Sequence, residues 1–129
     1  MLSDVSKQTG QTLQSHLRAF GQGDVDAMMD DYSEDVAFIK PDGVLRGKSE
    51  LRAFTEEVVA GFPPGSAFEL SQQIVEGEIA YIVWSGESEA LKIPFAAETL
   101  IVRGGKIVAQ TFAAQMELKT DHKGGNGRT

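Results

Sequence analysis

The sequence contains no cysteine. Disulfides, thiol nucleophiles and thiolate-based zinc or iron–sulfur centres are therefore excluded. Histidine is almost as scarce: His16 and His122 stand far apart, with no metal-ligand spacing between them. No Walker loop, dinucleotide fingerprint, zinc signature or GxSxG elbow occurs, so neither a metal nor another cofactor is expected. Positive charge is the minority, with 12 Lys and Arg against 19 Asp and Glu and a net charge of −7. A nucleic-acid binder presents a basic face, so nucleic acid is not an expected partner. Long apolar runs are also missing. None approaches the roughly 18–20 residues of a membrane span, and the opening MLSDVSKQTGQ lacks the apolar centre of a signal peptide. The expectation is a cytoplasmic protein with no membrane partner.

What remains is ordinary globular material: 129 residues, 41% of them hydrophobic. A domain of this size buries roughly 65–70% of the surface of its unfolded chain, enough to fold without staples. No repeat or internal linker interrupts it. The last stretch, KTDHKGGNGRT, is polar, Gly-rich and without apolar anchors. The expected organisation is one domain over residues 1–118 followed by a flexible tail over 119–129.

Helical spacing dominates the first half. Leu13, Leu17 and Phe20, with Val5 as an earlier contact, predict a helix over about residues 4–20, stopped by Gly21-Gln22-Gly23. Asp24 suits an N-cap for a short second helix burying Val25, Met28, Met29 and Tyr32. A short strand, Val36–Lys40, leads to the turn Pro41-Asp42-Gly43. A third helix then carries Leu51, Phe54, Val58 and Phe62 inward until Pro63-Pro64-Gly65 ends it.

The second half reads as strand. Ala67–Val75, Ile79–Glu87, Leu91–Val102 and Ile107–Met116 are separated by turn signals, of which Gly104-Gly105 is the strongest. Pro94 predicts an edge or a bulge. The order α-α-β-α-β-β-β-β defines an α+β fold with a mostly antiparallel sheet. One strand is apolar on both faces: Ile79, Tyr81 and Val83 alternate with Ala80, Ile82 and Trp84. Helices cover one side of a sheet, so the other side is expected to meet a second copy of the chain. Trp84 is assigned to that outer face, since tryptophan is enriched at interfaces.

The stretches HLRAFGQGDVDAMMDDYSEDVAF, GVLRGKSELRAF and AETLIVRGGKIVAQTF occur in this order. In them the chain resembles the nuclear transport factor 2-like superfamily, and within it the SnoaL-like polyketide cyclase and ketosteroid isomerase branch. The resemblance spans about residues 11–117. It implies a cone-shaped fold in which a curved sheet wraps the helices around a deep apolar pocket. It does not fix an activity, because the fold hosts isomerases, cyclases, dehydratases and non-catalytic modules. The ketosteroid isomerases carry a tyrosine on the first helix, where this chain has His16. They carry an aspartate base before a proline at the end of the first strand, where this chain has Lys40 before Pro41. They carry a protonated aspartate on the third long strand, where Glu98 stands here. An ammonium cannot shuttle a proton as a carboxylate does, and this departure argues against steroid isomerisation.

The residues support the same candidates. Glu98 shares its strand phase with Ala96, Leu100 and Val102, so its carboxyl needs a partner or a raised pKa. Lys40 is either that partner, a substrate anchor or a solvated strand end. His16 falls near the buried side of the first helix, and imidazole changes charge near neutral pH; a satisfied boundary histidine is the plainer reading. Glu98, His16 and Lys40 are thus the catalytic candidates. Tyr32, Phe38, Phe54, Gln110, Phe112 and Met116 are the ligand-contact candidates, though each of the apolar ones also suits simple core. Charge runs such as Asp30-Asp31 read as solvated helix faces. Two functions follow: cofactor-free acid–base chemistry on a small apolar carbonyl compound, or a non-catalytic ligand-binding or dimeric assembly module.

Overall fold

A computed structural model describes residues 3–119. The expected flexible tail lies outside the described residues except for Lys119. α1 (Asp4–Gln22) starts where the Ser3 hydroxyl accepts the Ser6 N–H at 3.0 Å, a cap that stabilises by about 1 kcal/mol. It stops at Gly23, whose φ of 68° lets its N–H reach the carbonyls of Ala19 and Phe20. Asp24 caps α2 (Val25–Asp30) through the Ala27 N–H at 3.0 Å. Tyr32, expected on α2, instead opens β1 (Tyr32–Lys40). Its ring is buried in either assignment, so a burial pattern alone does not separate the two.

β2 (Gly43–Arg46) pairs antiparallel with β1. It was not expected, because four largely exposed residues on a sheet edge carry no alternation to read. α3 (Gly47–Gly61) follows and buries Leu51 and Thr55. The long strands are β3 (Ala67–Glu76), β4 (Ile79–Glu87), β5 (Leu91–Arg103) and β6 (Lys106–Leu118). They join β1 and β2 in one six-stranded sheet of order β2-β1-β6-β5-β4-β3. Only the β1–β6 pair is parallel. The architecture is α+β as expected, with one strand more.

The sheet is curved and unclosed, and register shifts mark where it bends. They fall at Tyr32/Ala37, Leu70/Gln72, Trp84/Gly86, Lys92/Phe95 and Ile101/Val102. An extra residue on one strand raises the local twist and kinks the ladder. Pro94 sits at one of these shifts on a central strand, where its missing N–H breaks no ladder bond.

The concave side faces the helices. Leu13 of α1, Leu51 of α3, Leu100 of β5 and Ile107 of β6 are fully buried there. Ala80, Ile82 and Trp84 are buried on this side too, so the assignment of Trp84 to the outer face is wrong. Its ring packs against Phe20, Phe62 and Phe68, with centroids 6.2, 6.0 and 5.2 Å away. The α1 docking surface also differs from its apolar pattern. Val5 is exposed, whereas Ser6 and Thr9 are buried. Thr9 donates its hydroxyl to the Gly77 carbonyl at 2.7 Å, and the Gly77 N–H donates to the Ser6 hydroxyl at 3.0 Å. Hydroxyls, not methyls, therefore tie the first turns of α1 to the β3–β4 hairpin.

Gly86 of β4 tests how tightly α3 seats on the sheet. A methyl group there would lie 2.3 Å from the Phe62 ring and 3.0 Å from the Ala67 carbonyl. Gly86→Ala should destabilise the fold by about 1–3 kcal/mol, the usual range for overpacking. Urea titration of the two proteins reads this directly, and equal midpoints would contradict the packing described.

Candidate functional site

Between α1, α3 and the concave sheet lies a cavity of about 70 Å³. Its wall is mostly aromatic. Phe38, Phe54 and Phe112 form one cluster with centroids 5.4–6.2 Å apart. Phe20, Phe68 and Trp84 form a second. Phe68 is the one cavity-lining residue classed as exposed, at 40%, so the cavity meets solvent beside it. An apolar cavity of about 150 Å³ accepts benzene. Less than half of that is present, so even a benzene-sized ligand must displace rings at this opening.

The polar wall lies between the two clusters. Strand pairing sets it: Ile82 faces Glu98, Glu98 faces Phe112, and Leu100 faces Gln110. Alternation then points Glu98 and Gln110 to the concave side together with Trp84. The Trp84 Nε1–H donates to Glu98 Oε2 at 2.7 Å, and the Gln110 amide nitrogen donates to Glu98 Oε1 at 2.5 Å. On the other side of Gln110, the Tyr32 hydroxyl donates to its amide oxygen at 2.7 Å. Tyr32 Oη also lies 3.2 Å from His16 Nε2, and His16 Nδ1 lies 3.3 Å from Asp31 Oδ2. Asp31 Oδ1 accepts the Ser15 hydroxyl at 3.0 Å. The Asp31 side chain is 13% exposed, so this continuous chain of hydrogen bonds ends close to the surface.

Two groups on this chain are displaced from their ordinary acidity. Burial among rings pushes the Glu98 carboxyl up; the bonds from Trp84 and Gln110 and the nearby His16 oppose the shift without cancelling it. Glu98 retains partial accessibility because it borders the cavity, yet its carboxyl is enclosed by protein. Enclosure governs its acidity, since the cavity wall replaces bulk water. Tyr32 is pushed well above the ordinary phenol range, first by burial and then by the charges of Glu98 and Asp31. Its hydroxyl therefore stays neutral.

The structure brings together most of the residues proposed from sequence. Glu98, His16, Tyr32, Phe38, Phe54, Gln110 and Phe112 all line the cavity. Met116 does not: it is 47% exposed, past the point where β6 is covered. Lys40 does not either. Its amine pairs with Asp42 at 2.7 Å and sits 5.4 Å from the Phe54 ring centre. The expected Lys40–Glu98 pair is thus replaced by a local one, because the Pro41-Asp42-Gly43 turn folds Asp42 back onto the strand end. Sequence reasoning missed Trp84 as a donor and Asp31 as a partner of His16. Trp84 carried no directional signal, since both faces of β4 are apolar. Asp31 carried none, since its role depends on how α1 and α2 pair.

These features define an α+β fold enclosing a small cavity with one acidic group on its wall. The chain matches the SnoaL-like domain model over residues 13–110, and it belongs to this family of the nuclear transport factor 2-like superfamily. A nuclear transport factor 2-like protein from Burkholderia xenovorans superposes with a TM-score of 0.71 at 22% identity, covering 90% of this chain and 89% of that one. A protein from Kribbella flavida provisionally named a ketosteroid isomerase gives 0.71 at 15%, covering 92% and 84%. One from Jannaschia provisionally named a SnoaL-like polyketide cyclase gives 0.71 at 16%, covering 88% and 90%. At such identities the likeness is one of fold. No curated protein matches the sequence. No helix among the described residues is long and apolar enough to cross a membrane.

The acidity of Glu98 has a consequence for stability. In the unfolded chain a glutamate ionises near about pH 4.3, whereas in the fold its pKa is raised. Between those two values the folded state binds more protons than the unfolded one. The contribution of Glu98 is therefore full below the unfolded value and is lost as pH rises through the folded value. Denaturation of wild type and Glu98→Gln across this range should show wild type losing stability relative to the variant as pH rises. A difference independent of pH would contradict the enclosure of the carboxyl.

Proposed function

We propose that this chain is a cofactor-free acid–base catalyst acting on a small, largely apolar carbonyl compound, as an isomerase, cyclase or dehydratase. The supporting observation is the Glu98 carboxyl, enclosed by aromatic rings and held by two neutral donors, Trp84 and Gln110. No lysine or arginine pairs with it among the described residues. Desolvation makes its carboxylate a stronger base than one in water, and its protonated form can donate to a carbonyl oxygen. His16 borders the same cavity, but its two ring nitrogens meet Tyr32 and Asp31, so it acts on the site through Tyr32 and is not itself the group that meets the ligand. The aromatic wall excludes water and grips the apolar part of the substrate. Lys40 is left out, since its amine is already engaged by Asp42.

A specific observation favours a dimeric arrangement beside this reading. The convex face of the sheet carries Ile74, Ile79 and Phe95, each 45–48% exposed, together with Tyr81 and Val83 on the same strand phase as Ile79. Single exposed apolar residues are ordinary, but a row of them on one sheet face suits an isologous contact with a second copy.

Two measurements test these readings. In heavy water, the protein should accelerate α-proton exchange of some members of a panel of apolar enolisable ketones, followed by proton NMR. Glu98→Gln should slow that exchange by about 10²–10⁴-fold while the variant stays folded. Exchange that survives in Glu98→Gln removes the mechanism, and binding without any exchange leaves a ligand-binding module. For assembly, light scattering should give twice the chain mass for wild type and a monomer for Ile79→Lys with Phe95→Lys. A wild-type monomer at high concentration would rule the dimer out.

A further inference from the structure

The hydrogen-bonded chain running from Asp31 through His16, Tyr32 and Gln110 to Glu98 has a property that none of its members has alone. Two of its links are reversible. An amide has the same shape at both ends, so Gln110 can offer either its nitrogen or its oxygen to Glu98. A tyrosine hydroxyl can donate to either of its two neighbours. With Asp31 as a carboxylate and one proton shared between Glu98 and His16, just two arrangements satisfy every link.

In the first, Glu98 is ionised and accepts from the Gln110 amide. Tyr32 donates to the Gln110 oxygen and accepts from His16 Nε2–H, while His16 Nδ1–H donates to Asp31. The imidazole then carries a proton on both nitrogens. In the second, Gln110 is turned over. A protonated Glu98 donates to the amide oxygen, the amide nitrogen donates to Tyr32, and Tyr32 donates to His16 Nε2. The imidazole is then neutral and still donates from Nδ1 to Asp31. The two arrangements hold the same number of protons: from the first to the second, one leaves His16 Nε2 and one arrives at Glu98 Oε1. The combined charge of Asp31, His16 and Glu98 is −1 in both. Tyr32 stays neutral throughout, as its burial requires.

We propose that Asp31, outside the cavity, sets the charge on Glu98 through this chain, by deciding whether the proton shared with His16 rests on the imidazole or on the carboxyl. A carboxylate at Asp31 holds imidazolium in place, which leaves Glu98 ionised and able to act as a base. Without that charge the imidazolium loses its partner, and the proton returns to Glu98. Asp31 is thereby a positioning residue for the site. The proposal rests on the reading of Glu98 as the proton-handling group of the cavity.

The surroundings hold few competing charges. From β4 and β6, Glu98 meets the neutral donors Trp84 and Gln110. At the other end, Ser15 of α1 donates to Asp31. Lys106, at the start of β6, gives its amine to the neighbouring Asp30 carbonyl at 2.6 Å. The charges of α3 pair at exposed positions, Lys48 with Glu34 and Arg52 with Asp26 and Glu56. Arg18 of α1 is exposed.

One shift, compared between an intact and a broken chain, separates this mechanism from simple electrostatics. With His16 held in one protonation state, removing the Asp31 charge makes Glu98 easier to ionise; loss of the His16 charge opposes that through space. The chain predicts the reverse: Glu98 should become harder to ionise and His16 easier to deprotonate. Titration of the ¹³C-labelled Glu98 carboxyl and the ¹⁵N-labelled His16 ring by NMR measures both. In a Gln110→Leu background the chain is broken, and the upward shift of Glu98 in Asp31→Asn should then shrink or reverse. Should that background fail to fold, Tyr32→Phe removes the relaying hydroxyl with nearly the same volume. A downward or absent shift of Glu98 in Asp31→Asn overturns the proposal, as does an upward shift of equal size in a broken chain. These titrations need no substrate, so the relay can fail while Glu98 is catalytic, and can hold in a chain that catalyses nothing.

Discussion

A carboxyl group withdrawn from water among aromatic rings is the constraint around which this fold is arranged. Leaving one such group unpaired costs several kcal/mol, far more than any single cap or turn contributes. Glu98 therefore imposes demands on its neighbours. Trp84 must present its indole N–H and not merely its ring, and Gln110 must present its amide. Gln110 then has a free oxygen, which Tyr32 satisfies. Tyr32 in turn meets His16, and His16 meets Asp31. Each buried polar group exists at tolerable cost only because the next one does, until the series reaches water. Such networks are stable when complete and costly when one member is missing.

Sheet register makes this possible. Glu98, Gln110 and Trp84 come from three adjacent strands, and only one pairing places all three on the concave side within reach of each other. A slip of one residue on any strand would turn its member to the convex face. The register shifts at Trp84/Gly86 and Lys92/Phe95 lie just outside this trio on the Phe68 side, and that at Ile101/Val102 lies just outside it on the other. Across β4, β5 and β6 the ladder is regular where this trio meets and irregular on either side, while β1 carries its own shift beside Tyr32. α1 completes the arrangement by bringing His16 over the sheet, with its early hydroxyls fixed to the β3–β4 turn at Gly77.

Much of this architecture was legible in the sequence. Asp24 and Gly23 mark the α1–α2 junction through their chemistry, and Gly104-Gly105 marks the last hairpin. The inward phase of Glu98 followed from Ala96, Leu100 and Val102. Other features were hidden for physical reasons. β4 is apolar on both faces, so alternation could not say which face Trp84 occupied. β2 is short and exposed, and it exists because the turn at Pro41-Asp42-Gly43 returns the chain along β1. Lys40 lies on the inward phase, but a long amine at a strand end reaches the nearest carboxylate, and Asp42 is two residues away. The pairing of Asp31 with His16 depends on the angle between two helices, which no local pattern encodes.

The distribution of polarity across the cavity bears on what it can hold. One end is closed by Phe38, Phe54 and Phe112, the other is lined by Phe20, Phe68 and Trp84 and meets solvent beside Phe68, and the polar groups lie between them. A ligand that matches this wall is apolar at both ends with one hydrogen-bonding function near its middle. A ligand with a charged tip would set that charge against rings and lose its hydration without compensation. The wall also explains why a Glu98 of altered acidity is tolerable at all. The rings raise its pKa by removing water, and on the function proposed above the same rings would shield a bound ligand from water. Acidity and exclusion of solvent thus have one structural cause, which is why the polar chain must lead away from the cavity, through α1, and not across its floor.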